Sequence, residues 1–374
     1  MGRRIEERLP QWIRELDPYK PGKPVEEVER ELKVRAVKLA SNENALGPSP
    51  KAVAAIQQAA KEANRYPDGG GYYLREKLAS RLGVGMENIL LGNGSSDLIE
   101  LAARSLLTNE DEAATSEGSF PLYYLAIREM GAQLVAVPQK NYGYDLEALG
   151  KAVGPRTKLI YVANPNNPTG TLFPANEFEE FLKRVPEDAV VVLDEAYYEY
   201  VERADYSRSI ELVRQGRNLL VLRTFSKVYG LAGLRIGYAV GPAVLVEHVN
   251  KVRSPFNTSV VAQAAALAAL EDTEHVRRSV ESNRAGMKEL GKGLKALGVK
   301  FVPSYGNFVL VELGGDSRPV AEELMKLGVI VRPMRWMGFP NAIRVTVGTR
   351  EENEKFLKAL ERVRVEARKE VASD

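Results

Sequence analysis

The stretch Thr224-Phe225-Ser226-Lys227-Val228-Tyr229-Gly230 sets a lysine among hydroxyl and glycine residues, directly after the apolar run Leu219 to Leu222. A primary amine placed there is a nucleophile for a carbonyl carbon, provided its surroundings keep it neutral. Two further segments share this arrangement. Asn164-Pro165-Asn166-Asn167-Pro168-Thr169-Gly170 follows the apolar Leu159 to Ala163, and Asp194-Glu195-Ala196-Tyr197 follows Ala189 to Leu193. In open α/β sheets, ligands bind at the carboxyl ends of strands. Three strand ends that present an amide, a carboxylate with a phenol, and a hydroxyl with an amine therefore describe one site. A fourth segment, Gly92-Asn93-Gly94-Ser95-Ser96-Asp97, joins the apolar Ile89 to Leu91 to a helical pattern. Small residues at a helix N-terminus let backbone N–H groups approach a phosphate.

These residue types suit a phosphorylated pyridine ring that carries an aldehyde. Its nitrogen needs a carboxylate to stay protonated, its phenolic oxygen needs hydrogen-bond donors and its aldehyde needs a lysine. Asp194, an asparagine of the Asn164 to Asn167 segment together with Tyr197, and Lys227 supply these in that order.

The elements that must position the site are readable from periodicity. Ile89 to Leu91, Glu112 to Thr115, Gln133 to Val137, Leu159 to Ala163, Ala189 to Leu193, Leu219 to Leu222 and Ile236 to Val240 read as strands. Helical patterns such as Asp97 to Leu107, Pro121 to Met130 and Asn176 to Arg184 lie between them. Strand, crossover and strand in succession predict an α/β domain with a mainly parallel sheet. From about residue 258 the pattern becomes a long helical tract, Val261 to Leu270 and Thr273 to Leu297. Short strands follow at Lys300 to Val302, Phe308 to Glu312, Val329 to Arg332 and Ala342 to Val347, then a charged helix from Glu351 to Val371. The expected organisation is an arm and part of a small domain over 1–47, a large domain over 48–257 and a small α+β domain over 258–374. Residues 4 to 16 have helical spacing with one apolar face, broken by Pro18, Pro21, Gly22 and Pro24. There is no internal repeat.

Composition excludes several other chemistries. Among 374 residues, 52 Lys+Arg balance 50 Asp+Glu for a net charge of +2, with no large electrostatic footprint for nucleic acid or an anionic membrane. Cysteine is absent, so disulfides, thiolate nucleophiles and Cys-ligated metals are out. With only His248 and His275, no multi-histidine metal site is expected. Hydrophobic residues at 44% suffice for a sizeable core. The charged N-terminus lacks a secretory apolar run, and Glu6 stands where a myristoylation signal needs Ser or Thr. No apolar run is long enough to span a membrane. A cytoplasmic protein is expected.

At this point the sequence resembles the fold-type I pyridoxal-phosphate aminotransferases of the aspartate aminotransferase superfamily, and within them the histidinol-phosphate aminotransferases. The resemblance runs from Leu16-Asp17-Pro18-Tyr19 and Leu39-Ala40-Ser41-Asn42-Glu43-Asn44, through the four motifs, to Ile343-Arg344-Val345-Thr346-Val347-Gly348. It implies a ping-pong transfer of the amino group between histidinol phosphate and 2-oxoglutarate, with pyridoxal 5'-phosphate as cofactor. Lys227 would form the aldimine and shuttle the proton, Asp194 would pair with the pyridine nitrogen, and Asn167 and Tyr197 would hold the ring oxygen. Phe120 would stack on the ring. Gly94, Ser95, Ser96, Thr224, Ser226 and Arg235 would hold the phosphate, together with Tyr66 donated across a homodimer interface. Arg344, Arg332, Tyr19 and Asn44 would bind substrate. Arg335-Trp336 departs from the small residues and tyrosine expected there. A third cation and an indole at the mouth would favour an aromatic or acidic amino donor, whereas a solvated Arg335 and a packed Trp336 would not. The resemblance leaves open an aromatic amino acid aminotransferase, a threonine-phosphate decarboxylase-like enzyme and a non-catalytic regulator of the same fold.

Overall fold

The computed structural model describes residues 5–18 and 22–373. Its larger sheet has seven strands, β2 (Ile89–Gly92), β3 (Glu112–Ser116), β4 (Gln133–Val137), β5 (Thr157–Ala163), β6 (Val190–Asp194), β7 (Leu219–Thr224) and β8 (Gly237–Val240). They follow β1 (Val37–Lys38) in the chain and lie in the order β2-β8-β7-β6-β5-β3-β4. The pairs β4/β3, β3/β5, β5/β6 and β6/β7 are parallel, and only β8 runs against its neighbours. Uninterrupted apolar runs such as Val190-Val191-Val192-Leu193 suit this position, because both faces of the strand are covered. Val191 and Leu193 pack into one apolar cluster, and Val190 and Val192 into a second on the opposite face. The same alternation decides where the next two side chains go. Asp194 continues the Val190 and Val192 face, while Glu195 is turned away from it.

Glu195 is fully buried and meets Arg223 of β7, whose Nε and Nη2 donate to Oε2 at 3.0 and 2.9 Å. Ser207 and Ser209 hydroxyls also donate to this carboxylate, and the Arg223 guanidinium lies 3.5 Å above the Tyr198 ring. A buried ion pair with its remaining valences met this way clamps β6 to β7 next to Asp194.

The smaller unit takes strands from both ends of the chain. β9 (Lys300–Val302), β10 (Phe308–Glu312), β12 (Arg332–Met334) and β13 (Phe339–Thr346) form an antiparallel sheet in the order β12-β13-β10-β9. β1 pairs in parallel with β11 (Val329–Ile330). A separate core joins Leu39, Val309, Val311, Ile343 and Val345 to Leu290 and Leu294 of the Thr273–Ala296 helix and to Phe356 and Leu360 of the Arg350–Ser373 helix.

Two local expectations are corrected. The helix Val260–Leu270, read as part of the small domain, packs with Ala52, Leu74 and Leu78 in the large sheet's core. Gln263 is the one polar residue in its run Val-Val-Ala-Gln-Ala-Ala-Ala-Leu-Ala-Ala-Leu, so it has no broad polar face for solvent. We place the division between the units after this helix. The single N-terminal helix is in fact a 3₁₀ turn, Ile5–Arg8, and a short helix, Gln11–Arg14, separated at Pro10. Trp12 of that arm sits against Gly131 of the same chain. Among the described residues, no helix is long and apolar enough to cross a membrane.

Candidate active site

Ala163, at the end of β5, is in register with Asp194, and Asp194 with Leu222, so the ends of β5, β6 and β7 lie side by side. They open into a cavity of about 230 Å³ lined by Asn167, Asp194, Tyr197, Thr224, Ser226 and Lys227, and by Ser95, Ser96, Phe120 and Arg235 from neighbouring segments. Among the described residues, Lys227 is the one primary amine on this wall. Burial and the nearby Arg344 hold its pKa down to about 8, with Arg235 acting in the same sense and Glu43 and Asp194 opposing. Its Nζ donates to the Ser41 carbonyl at 3.2 Å.

Asp194 is shaped by opposing influences. Burial pushes its carboxyl pKa up, whereas the Tyr123 hydroxyl at 2.7 Å, the Ala196 N–H at 3.0 Å and the charge of Lys227 pull it down. A carboxylate desolvated to this degree is a strong partner for a protonated ring nitrogen. Tyr123, stacked on Tyr161 with centroids 5.0 Å apart, is fully buried and cannot swing away. Phe120 meets it edge-on at 5.7 Å and forms part of the cavity wall.

At the opposite end the helix Ser95–Leu106 begins at Gly94, whose φ is 85°. A side chain at Gly94 would run into the Arg235 guanidinium, and one at Gly237 would meet the Ser95 nitrogen. Thr224 donates to Ser226 Oγ at 3.0 Å, and Arg235 donates to the same atom at 3.3 Å. Helix N–H groups, four hydroxyls and a guanidinium converge there, a donor set suited to a phosphate. Carboxylate at one end, phosphate donors at the other and an amine between them fit pyridoxal phosphate.

On the substrate side, Arg344 is 8% exposed and donates to Asn167 Oδ1 at 2.6 Å and to the Ala40 carbonyl at 2.7 Å. With its oxygen engaged by Arg344, Asn167 has its amide N–H groups to offer a ring oxygen. Arg332 on β12 stands directly across from Arg344 on β13. Like charges opposite one another destabilise a sheet.

Not every expected residue joins the cavity wall. Asn44 donates to the Val228 carbonyl at 2.7 Å and Ser279 Oγ at 2.9 Å and accepts from Leu46 N–H, so its amide braces the lysine loop instead. Tyr66 is 83% exposed and stacks on Phe256. Arg332 lies over the Trp336 ring at 5.0 Å. Arg335 turns to Asp316 at 3.3 Å, so the third cation does not join this wall. Tyr19 lies outside the described residues. Conversely, sequence reasoning passed over Ser41, Glu43 and Tyr123, which line the cavity, and Asn42 behind it. The segment Leu39 to Asn44 was itself the available signal, but nothing in it showed which side chains face inward.

The chain matches the family described as aminotransferase class I and II over residues 34–360. It is 52% identical to histidinol-phosphate aminotransferase 1 of Nitrosococcus oceani, over 95% of this chain and 96% of that protein. It is 51% identical to a histidinol-phosphate aminotransferase of an Anaeromyxobacter species, over 95% and 98%. Among solved structures, the histidinol-phosphate aminotransferase of Sinorhizobium meliloti in complex with pyridoxal-5'-phosphate superposes with a TM-score of 0.87 at 32% identity, covering 95% and 97% of the two chains. Aspartate aminotransferase of Thermus thermophilus with maleate does so at 0.82 and 26% identity, covering 95% and 99%. With the family match and these chain-long similarities added to the geometry of the site, this chain belongs to the class I and II aminotransferases.

Proposed function

We propose that the protein is a pyridoxal-phosphate-dependent aminotransferase that moves an amino group from histidinol phosphate to 2-oxoglutarate. The observation that carries this reading is the single cavity that unites Lys227, Asp194 and the phosphate cradle, with Arg344 bonded to Asn167 on its wall. Identity of about half over nearly the whole chain supports the choice of substrate. When bound, pyridoxal phosphate supplies an aldehyde carbon to carry the amino group and a ring to take up electrons from the substrate Cα.

The chain's own residues do the rest. Lys227 Nζ, released from its hold on Ser41, moves the proton from the substrate Cα. Asp194 keeps the proton on the ring nitrogen, while Tyr197 and Asn167 donate to the ring oxygen. Phe120 covers one ring face. Arg344 and Arg332 bind the phosphate of histidinol phosphate in one half-reaction and a carboxylate of 2-oxoglutarate in the other, as planar guanidinium groups can. With Arg335 paired to Asp316, the extra cation that favoured an aromatic or acidic donor is engaged elsewhere. A phosphorylated substrate does not cross membranes unaided, which favours a cytoplasmic location.

The test is the absorbance spectrum of the purified protein with added pyridoxal phosphate, followed by histidinol phosphate, phenylalanine or glutamate separately. A visible band should form, and histidinol phosphate should bleach it at the lowest concentration. A protein that stays colourless refutes the cofactor. Phenylalanine acting at the lowest concentration refutes the substrate.

We propose further that the working form is a homodimer in which Tyr66 reaches the partner's phosphate cradle. Support comes from its exposure in the single chain and its stacking on Phe256 rather than on its own cavity. Mixing Tyr66→Phe with Lys227→Ala subunits should restore activity in about a quarter of the sites, because half of each hybrid dimer has both residues intact. No recovery above the two parent variants would refute sharing of the site.

A further inference from the structure

Asn42 has an unusual backbone and an unusual set of partners. Its φ is 55°, a left-handed conformation that glycine or asparagine adopts at low cost. A glycine would serve the chain trace, yet this position carries an amide that is 1% exposed and fully engaged. Its Nδ2 donates to the Tyr197 hydroxyl at 2.8 Å. Its Oδ1 accepts from Thr346 Oγ1 at 3.2 Å, and its backbone N–H donates back to the same hydroxyl at 2.9 Å. Asn307 Nδ2 donates to its carbonyl at 3.0 Å. The threonine fixes which way the amide faces, because it gives its own proton to Oδ1.

We infer that Asn42 is a positioning residue that sets Tyr197 as a proton donor towards the cofactor's ring oxygen, an inference that rests on the cofactor reading above. The amide can only donate at Nδ2, so the phenol oxygen accepts there and directs its own proton elsewhere. Tyr197 lines the cavity, where a bound ring oxygen would accept that proton. A donor on the phenol oxygen also makes its O–H more acidic, and so a stronger donor. The link reaches further, because Thr346 lies two residues beyond Arg344 on β13 and so on the same face of that strand. The residue that binds the substrate anion and the residue that braces Tyr197 thus move as one piece.

Two substitutions separate this role from simple packing. Asn42→Gly keeps the backbone conformation and deletes the donor. Asn42→Asp keeps the size but replaces the donor by a carboxylate that accepts from Tyr197, turning the phenol proton away from the cavity. A hydrogen bond to the ring oxygen favours the form in which that oxygen is negative. Losing it should therefore raise the pH midpoint of the visible absorbance of the pyridoxal-phosphate-loaded protein. The expected rise is about one unit for Asn42→Asp, a tenfold change in the equilibrium, and less for Asn42→Gly. In a Tyr197→Phe background the effect of Asn42→Asp should vanish. A midpoint unchanged in Asn42→Asp, or shifted equally without the Tyr197 hydroxyl, overturns the inference.

A second measurement needs no cofactor. Asn42→Gly and Tyr197→Phe should be non-additive in urea unfolding of the cofactor-free protein, by about twofold or more in the unfolding constant. Strict additivity overturns the link. A parent protein that forms no visible band refutes the cofactor reading instead, and the unfolding cycle still decides whether Asn42 braces Tyr197.

Discussion

Lys227→Ala is expected to lower turnover at least about ten-thousandfold, since it deletes both the nucleophile and the group that moves the substrate proton. Among the described residues, no other primary amine lines the cavity to replace it. The variant should remain folded, because the hydrogen bond that Nζ gives up is one bond to the Ser41 carbonyl. The same residue predicts a pH dependence. An amine must be neutral to bond an aldehyde carbon, and Lys227 is held down to about 8 by burial and by Arg344. The rate of cofactor capture should rise about tenfold per unit below that pH and level off above it. Stopped-flow appearance of the visible band measures this. Full turnover in Lys227→Ala, or capture that is flat from pH 6 to 9, would remove the lysine from its assigned place.

Asp194→Ala should cost on the order of a thousandfold in rate, about 4 kcal/mol of transition-state stabilisation, while part of the cofactor affinity survives. The reasoning is electrostatic. A ring takes up electrons from the substrate Cα only while its nitrogen keeps a proton, and a buried carboxylate fixed by Tyr123 and Ala196 provides for that without reorganising. The phosphate cradle at the other end of the cavity is untouched by the substitution, so the cofactor dissociation constant should rise far less than the rate falls. Single-turnover kinetics with saturating cofactor separate the two effects. An unchanged rate constant would show that Asp194 is not the partner of the ring nitrogen.

What the sequence disclosed and what it withheld divide along physical lines. Strands β5, β6 and β7 announced themselves as apolar runs, and the polar residues that follow them had to lie at one edge of a parallel sheet. Asp194, Tyr197 and Lys227 were therefore legible from local pattern, whereas the choice of Asn167 over Asn164 and Asn166 came from the resemblance. Asn42 and Asn44 were not distinguishable. They lie two positions apart in a loop, where no period of two or 3.6 tells inside from outside, and only the left-handed turn at Asn42 separates their directions. Tyr123 was hidden for a different reason. Its partner Asp194 is 71 residues away, and a tyrosine within an apolar helix reads as packing. The alanine-rich helix Val260–Leu270 was recognised as a helix, but its near-absence of polar residues, Gln263 apart, which marks it for packing into the large sheet's core, went unused.

The hydrogen bonds from Arg344 to Ala40 and from Asn42 to Thr346 each join residues 304 positions apart. A ribosome thus releases the large sheet, with Lys227 already in it, well before β13 exists. Until β13 arrives, the segment carrying Ser41, whose carbonyl holds Lys227, lacks the Arg344 and Thr346 hydrogen bonds that anchor it, and Asn42 has no threonine to orient it. A chain ending between residues 271 and 343 would contain every strand of the seven-stranded sheet and lack Arg344 and Thr346, which anchor the Ser41 segment. Catalytic competence is in this sense acquired only once β13 has been made and has bonded back to the segment around Ser41.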